Sequence, residues 1–293
     1  METAETLDPY TETAKLIQEL GYVDGHFESP INLDITFMKI IELNPIQWVN
    51  VDVRPRKLKV TNTGFTVLLS TTWETERAYV TGGPLLGKYL LSQIHFHWGE
   101  NEMNGSEHSV DGASMPMELH VVLFKDEYEK FNLALTKVDG IIIVVYFFKL
   151  QNESNKFIHN ILRHASEIRA AHSSVRLVPV SLNTLMRPFS EDYFLYWGSI
   201  ILRTNPHRIL WIISREPIGV SVEQVRTFRT LTNEKGMPIL SNVRELKERE
   251  ERTVFHVCPS GSTYASLLPL PWDIYSKTDL PNQTTVDVAS TSV

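Results

Sequence analysis

The segment Gln93-Ile94-His95-Phe96-His97-Trp98-Gly99 decides how this sequence folds. Side chains alternate between the two faces of an extended strand, so His95 and His97 should project from the same side of a sheet, together with Gln93. The segment Glu118-Leu119-His120 follows after a polar loop, and we expect it to form a neighbouring strand. Three imidazoles should then point into one space.

Three converging imidazoles are a ligand set typical of a catalytic zinc site. His95, His97 and His120 would form the base of a tetrahedron around Zn2+ and leave the fourth position to water. Gln93 and Glu118 would supply the hydrogen-bond acceptors that orient ligand imidazoles. The alternative is that these histidines are ordinary polar residues of strands, which is the better interpretation for a single histidine. The spacing of the three favours zinc.

The composition is that of a globular protein with a large core. The chain has 293 residues, of which 42% are hydrophobic and 22% charged, and this length allows one domain or two. A net charge of −7 without a long basic tract disfavours a nucleic-acid-binding protein. The single cysteine, Cys258, excludes an internal disulfide, and the first residues lack signal-peptide features, so we expect a cytoplasmic protein. The longest apolar run, residues 141–148, is too short to span a bilayer.

Strand-like segments outnumber helical ones and follow one another directly. This order predicts a mainly β (α+β) single domain, with one large twisted, mostly antiparallel sheet and peripheral helices. We expect residues 1–28 to form a loosely ordered N-terminal arm, residues 29–278 to form the domain, and residues 279–293 to form a flexible polar tail. The run of alternating charges at residues 244–252 is interpreted as a solvated surface segment.

Two longer helices are predicted at the periphery of the sheet. Residues 155–168 carry an apolar stripe at helical spacing, with Ser154 or Asn155 as the N-cap. Ser221-Val222-Glu223-Gln224 is a capping-box pattern that should begin the second helix.

Several separated motifs together resemble the α-class carbonic anhydrases over roughly Ser29 to Val243. The motifs are Ser29-Pro30-Ile31-Asn32, Gly83-Pro84-Leu85, Gln93 to Gly99, Gly105-Ser106-Glu107-His108, Glu118-Leu119-His120, Gly198-Ser199, Trp211, Glu216-Pro217-Ile218 and Glu223-Gln224. Because they occur in the right order and at the right distances, they are far more specific than one His-x-His motif. The resemblance implies the fold of that family, with the metal at the bottom of a conical cleft.

The resemblance also implies a ligand arrangement and a reaction. Its zinc ligands would be His95, His97 and His120. Gln93 should accept a hydrogen bond from the first of them, Glu118 from the third, and the backbone carbonyl near Asn242 from the second. The implied reaction is zinc-dependent reversible hydration of CO2 to bicarbonate, for which zinc lowers the pKa of its water to about 7.

Some positions depart from the family pattern. Ile201 stands where the family has a threonine that orients the reacting group, so Glu107 loses its relay partner, and we expect a raised pKa for this buried carboxyl. Phe65 occupies the position of the proton-shuttle histidine and cannot titrate near neutrality. The positions that match the CO2 pocket are Val122, Ile143, Ile200, Ile201 and Trp211. Ile143 replaces a smaller valine, which narrows that pocket.

These departures leave two interpretations open. The first, which we favour, is a carbonic anhydrase (carbonate dehydratase, a lyase) of reduced activity, because loss of one preorganised hydrogen bond costs on the order of 10²- to 10³-fold in rate. The second is an acatalytic carbonic anhydrase-related protein that acts as a binding scaffold. The last residues, Thr291-Ser292-Val293, fit a PDZ-type ligand, although such short endings recur by chance and a disordered tail is preferred.

Overall fold

The computed structural model describes residues 8–25, 27–202 and 205–258. The α-helices are α1 (Pro9–Leu20), α2 (Phe131–Ala134), α3 (Lys156–Leu162) and α4 (Val222–Phe228). The strands are β1 (Asn32–Leu33), β2 (Met38–Ile41), β3 (Ile46–Val49), β4 (Lys57–Asn62), β5 (Val67–Thr72), β6 (Tyr79–Gly82), β7 (Leu85–Trp98), β8 (Ser109–Val110), β9 (Ala113–Ser114), β10 (Met117–Lys125), β11 (Ile141–Leu150), β12 (Ser174–Leu177), β13 (Tyr193–Leu202), β14 (Asn205–Ser214), β15 (Ile218–Val220) and β16 (Val254–Val257).

Within these residues, thirteen strands form one large mixed sheet. Ten of them follow the path β12-β4-β5-β7-β10-β11-β14-β13-β16-β2, while β15 pairs with β11, β6 with β7, and β3 with β6. Most neighbouring strands are antiparallel, whereas β11 pairs with β14 in parallel. A separate small sheet contains β1, β8 and β9. The predicted fold class, a mainly β single domain with a mostly antiparallel sheet and peripheral helices, is confirmed.

The central strands β10 and β11 are covered on both faces. All residues from Ile141 to Phe148 are buried, as are all from Met117 to Phe124. A continuous apolar run of this kind is expected for a strand with no solvent-facing side. One face of β10 packs with Phe96 and Trp98, and the other carries His120 and Val122. Side chains on the second face are therefore held by a rigid, fully packed strand.

Helix α1 corrects the prediction of a loosely ordered arm over residues 1–28. Ile17 of this helix is buried, and its carbonyl accepts a hydrogen bond from Trp197 Nε1 at 2.7 Å. The side-chain amide of Gln18 donates from Nε2 to the Pro84 carbonyl at 2.6 Å. The apolar side of α1 thus packs on the sheet, so residues 9–20 are an ordered part of the domain.

The charge run at residues 244–252 is solvated only in part: its glutamates Glu245, Glu248, Glu250 and Glu251 are exposed as predicted, but two of its arginines make contacts inside the protein. The Arg252 guanidinium is buried and donates to the backbone carbonyls of Glu28 and Glu248. Arg244 pairs with the buried Glu107 carboxylate. Because carbonyls and a carboxylate satisfy these two arginines inside the protein, their charge does not require water.

The two predicted helices are present, with one difference in length. The Asn155 side chain caps α3 as predicted, but the helix ends at Leu162 rather than at Ile168. Helix α4 begins with the predicted capping box between Ser221 and Gln224. No described helix is both long and apolar enough for a membrane span. The predicted tail at residues 279–293, with its PDZ-type ending, lies outside the described residues.

Candidate metal centre

The pairing of β7 with β10 brings the three predicted histidines together. His95 lies directly opposite His120 in this antiparallel pair, and His97 lies two residues further along β7 on the same face. The ring centroids are 5.1 Å apart for His95 and His97, 5.0 Å for His95 and His120, and 4.4 Å for His97 and His120. One nitrogen from each ring lies within 4.8 Å of the other two. One metal ion could contact all three.

The surroundings of His95 and His120 keep these two imidazoles in the form that binds metals. His97 and His120 are buried, and His95 is half-buried. Burial lowers the pKa of His95 well below its ordinary value, and the neighbouring His120 and His97 lower it further. Burial and His97 have the same effect on the pKa of His120. Neutral imidazoles keep a nitrogen lone pair available to a metal ion.

His97 is oriented by the backbone of a distant segment. Its Nδ1 donates to the carbonyl of Asn242 at 3.1 Å, and Asn242 is fixed in turn because its side chain accepts from the Trp98 N–H at 2.8 Å. The other nitrogen of His97, Nε2, is buried and has no hydrogen-bond partner among the described residues. A buried polar atom normally has a partner. Coordination of a metal would satisfy this atom, so His97 fits the role of a ligand.

His120 is oriented by Glu118 of the same strand. The carboxylate of Glu118 accepts from His120 Nε2 at 2.6 Å, as the resemblance implied, which leaves Nδ1 of His120 to face a metal. The same carboxylate accepts from Nδ1 and from the backbone N–H of His108, at 2.7 Å and 2.8 Å. His108 Nε2 lies 2.7 Å from the hydroxyl of Tyr196. This chain of hydrogen bonds fixes the Glu118 carboxylate and with it the His120 ring.

The half-buried Gln93 does not contact its predicted ligand histidine in the way that Glu118 contacts His120. Within the described part of the chain, no hydrogen bond joins Gln93 to His95. Its part in orienting His95 stays a prediction.

Glu107 has a partner that the sequence did not suggest. Arg244 donates to its carboxylate from Nε at 2.8 Å and from Nη2 at 2.6 Å, and the Arg244 backbone N–H adds a third hydrogen bond at 3.2 Å. Burial by itself raises the pKa of the Glu107 carboxyl, but the neighbouring His97 and the Arg244 guanidinium lower it to about 2. The raised pKa that we predicted for Glu107 is therefore wrong, because arginine replaces the missing threonine as its partner.

The ion pair lies directly beside the candidate ligands. One oxygen of Glu107 is 3.3 Å from His97 Nδ1, and the other is 3.8 Å from His120 Nε2. The sequence did not identify Arg244 as the partner of Glu107, because Arg244 lies in a run of alternating charges that is typical of a solvated surface segment. The available signal was its position two residues after Asn242, whose carbonyl was already expected to hold a ligand imidazole.

The structure brings four of the five predicted pocket residues together. Val122, Ile143 and Trp211 are buried in one cluster, and Ile200 packs against it. The Trp211 ring lies 5.2 Å from that of His120, so this apolar cluster adjoins the histidines. These contacts place an apolar wall beside the candidate metal ligands.

Ile201 and Phe65 lie apart from that wall. Ile201 is 56% exposed and lines a surface cavity together with Ser29 and Arg244. Phe65 is also exposed, and its carbonyl accepts from the side chain of Asn242 at 3.1 Å. The structure therefore does not join Ile201 to the predicted pocket, whereas Phe65 lies next to the residue that holds His97.

Comparison with known proteins agrees with this arrangement. Residues 16–258 match the family model for eukaryotic-type carbonic anhydrase. Carbonic anhydrase 1 of Oryctolagus cuniculus is 31% identical over 236 residues, which cover 78% of this chain and 98% of that protein. Carbonic anhydrase 3 of Homo sapiens is 33% identical over 183 residues, covering 61% and 70%. Carbonic anhydrase 5A, mitochondrial, of Homo sapiens is 32% identical over 203 residues, covering 68% and 66%. With a family match over most of its length, this chain belongs to the eukaryotic-type carbonic anhydrase family.

Proposed function

We propose that this protein is a zinc-dependent carbonic anhydrase of reduced activity, which interconverts CO2 and bicarbonate. The observation that carries the proposal is the cluster of His95, His97 and His120, in which two of the rings are oriented by buried acceptors. Membership of the family supports CO2 hydration as the reaction. The residues around the cluster support the reduced rate.

Each group at the site has a distinct part in this proposal. When bound, Zn2+ supplies an activated water, an effect for which carbonic anhydrases are themselves the standard example. Glu118 and the Asn242 carbonyl hold the N–H groups of His120 and His97, so that the opposite ring nitrogens would be free to bind the metal. The apolar wall that includes Trp211 excludes water and offers CO2 a surface without competing hydrogen bonds.

The reduced rate follows from what surrounds Glu107. Its carboxylate accepts two hydrogen bonds from the Arg244 side chain, and the side chain at position 201 carries no hydroxyl. No Glu–Thr relay can therefore orient the attacking group through residue 201. Phe65 adds a second restriction, because it cannot carry the released proton to the solvent.

We expect slow but measurable hydration of CO2 by the zinc-loaded protein. Fully active carbonic anhydrase reaches about 10⁶ s⁻¹, and loss of one orienting hydrogen bond should lower this by about 10²- to 10³-fold. The turnover number should therefore be on the order of 10³–10⁴ s⁻¹. It should also rise with buffer concentration, because buffer must accept the proton. Stopped-flow CO2 hydration over a series of buffer concentrations measures both properties.

A zinc-loaded protein with no hydration above the buffer background would contradict this proposal. Ile201→Thr is the informative variant, because residue 201 lies outside the apolar wall. We expect this substitution alone to leave the rate unchanged, because Arg244 still occupies both oxygens of Glu107 and a relay needs a free carboxylate as well as the hydroxyl. A gain of about 10²-fold would instead show that a hydroxyl at position 201 reaches the reacting group.

One observation favours the alternative, an acatalytic binding scaffold. Arg244 occupies both oxygens of Glu107, so a site of this kind is stable without any catalytic role for the carboxylate. The stopped-flow experiment separates the two functions, because a scaffold would hold zinc and yet show only background hydration.

We further propose that the protein acts in the cytoplasm. A single cysteine in 293 residues supports a reducing compartment. A PDZ-type partner at residues 291–293 stays a prediction, and PDZ binding that persists after deletion of Val293 would dismiss it.

A further inference from the structure

A second cluster of side chains that could bind a metal lies where β13 begins and β16 ends. Phe194 of this strand is opposite His256 of β16, and Tyr193 is opposite Val257. Asp192 immediately precedes β13 and Cys258 immediately follows β16, so both lie next to the Tyr193–Val257 pair. Directly opposed side chains on a sheet are close neighbours, and residues two apart on a strand share a face. One oxygen, one nitrogen and one sulfur of this cluster lie within 4.8 Å of one another.

The carboxylate of Asp192 is fixed by hydrogen bonds from two neighbouring side chains. Nη1 of the buried Arg215 lies 3.0 Å from both oxygens of Asp192, and His256 Nε2 donates to one of them at 2.7 Å. Metal-binding carboxylates are typically oriented by hydrogen bonds of this kind.

The side chains of this cluster are partly accessible to solvent. The side chains of Asp192 and His256 are 21% and 13% exposed, and Cys258 is half-buried. Glu191 and Glu216 line the surface cavity of about 270 Å3 that also contains Asp192 and Arg215. Three carboxylates and one guanidinium thus line a cavity that adjoins the site at Asp192.

We propose that Asp192, His256 and Cys258 form a second site for a transition metal of the Zn2+ or Co2+ class. A thiolate, an imidazole and a carboxylate are the ligands that such ions take in proteins, whereas Mg2+ and Ca2+ prefer oxygen alone. Binding displaces the thiol proton of Cys258 to solvent, and the ion replaces the hydrogen bond between His256 and Asp192. This site does not depend on the three-histidine cluster.

Cobalt substitution of the full chain tests this site. We expect two Co2+ ions per chain, with a near-ultraviolet absorption band from thiolate-to-cobalt charge transfer in addition to the visible bands of the histidine site. Cys258→Ser should remove the near-ultraviolet band and one of the two ions while the visible bands of the histidine site persist. His120→Ala should have the opposite effect.

His256→Gln carries the same test independently, because it leaves the pair between Asp192 and Arg215 intact. This variant should also lose the near-ultraviolet band and one ion. Binding of only one Co2+ per chain without that band would overturn the proposal. A near-ultraviolet band that survives in the His256→Gln protein would also overturn it, since the thiol would then bind cobalt without the cluster.

Discussion

Replacement of His120 by alanine is expected to weaken zinc binding by more than about 100-fold, the upper end of the loss caused by removing a partner that only orients a ligand. The substitution deletes one of three converging imidazoles, and the remaining two cannot complete the usual set of three protein ligands. Competition with a chromophoric chelator measures this loss. Cys258→Ser protein should serve as the background, so that the proposed second site does not contribute.

His172→Ala is the matched control for this experiment. His172 also lies within hydrogen-bond distance of a glutamate, Glu234, at 3.0 Å, but the two side chains are 66% and 74% exposed and lie away from the cluster. This control should bind zinc with unchanged affinity. If the His120→Ala protein kept the affinity of its parent, the cluster could not be the metal site.

Replacement of Arg244 by methionine is expected to lower the free energy of unfolding by about 3 kcal/mol, the lower end of the range for breaking a buried ion pair. The substitution leaves the Glu107 carboxylate buried without its cation. We use the lower end of the range because the Arg244 side chain is 34% exposed and is therefore only partly desolvated. Urea denaturation of the zinc-loaded protein at pH 7 measures the change. His97 and Arg244 together hold the pKa of Glu107 at about 2 rather than 4.5, so the stabilisation from these two neighbours is complete above about pH 4.5 and is lost as the pH falls toward 2.

A double-mutant cycle isolates this contribution. Glu107→Gln combined with Arg244→Met should be more stable than Arg244→Met alone, because no uncompensated charge stays buried. Arg56→Met is the control, since Arg56 contacts Glu74 at 3.5 Å with both side chains mostly exposed. It should change stability by less than about 1 kcal/mol. A similarly small effect of Arg244→Met would mean that Arg244 is not the partner that stabilises Glu107.

The parts of this protein that the sequence predicted depend on local regularities. The period of two along a strand places His95 and His97 on one face, whatever the rest of the chain does. The caps of α3 and α4 follow from residues within one helical turn. Burial of the apolar run at residues 141–148 follows from its length and composition. Each of these features is fixed by neighbours in sequence.

The parts that the sequence did not predict depend on contacts between distant segments. The Glu107–Arg244 pair joins residues 137 positions apart, and nothing near either residue specifies the other. The stability of α1 comes from Trp197, whose indole donates to a helix carbonyl 180 residues earlier in the chain. Tertiary packing of this kind outweighs weak local propensity. For the same reason the isoleucine at position 201 suggested that Glu107 has no hydrogen-bond partner, whereas Arg244 donates to it in the structure.

X-ray absorption at the zinc edge of the Cys258→Ser protein, loaded with one zinc ion per chain, tests the central claim most directly. We expect three imidazole nitrogens at about 2.0–2.1 Å and one further light-atom ligand. A spectrum that requires fewer than three imidazoles would contradict the claim that His95, His97 and His120 together hold the metal.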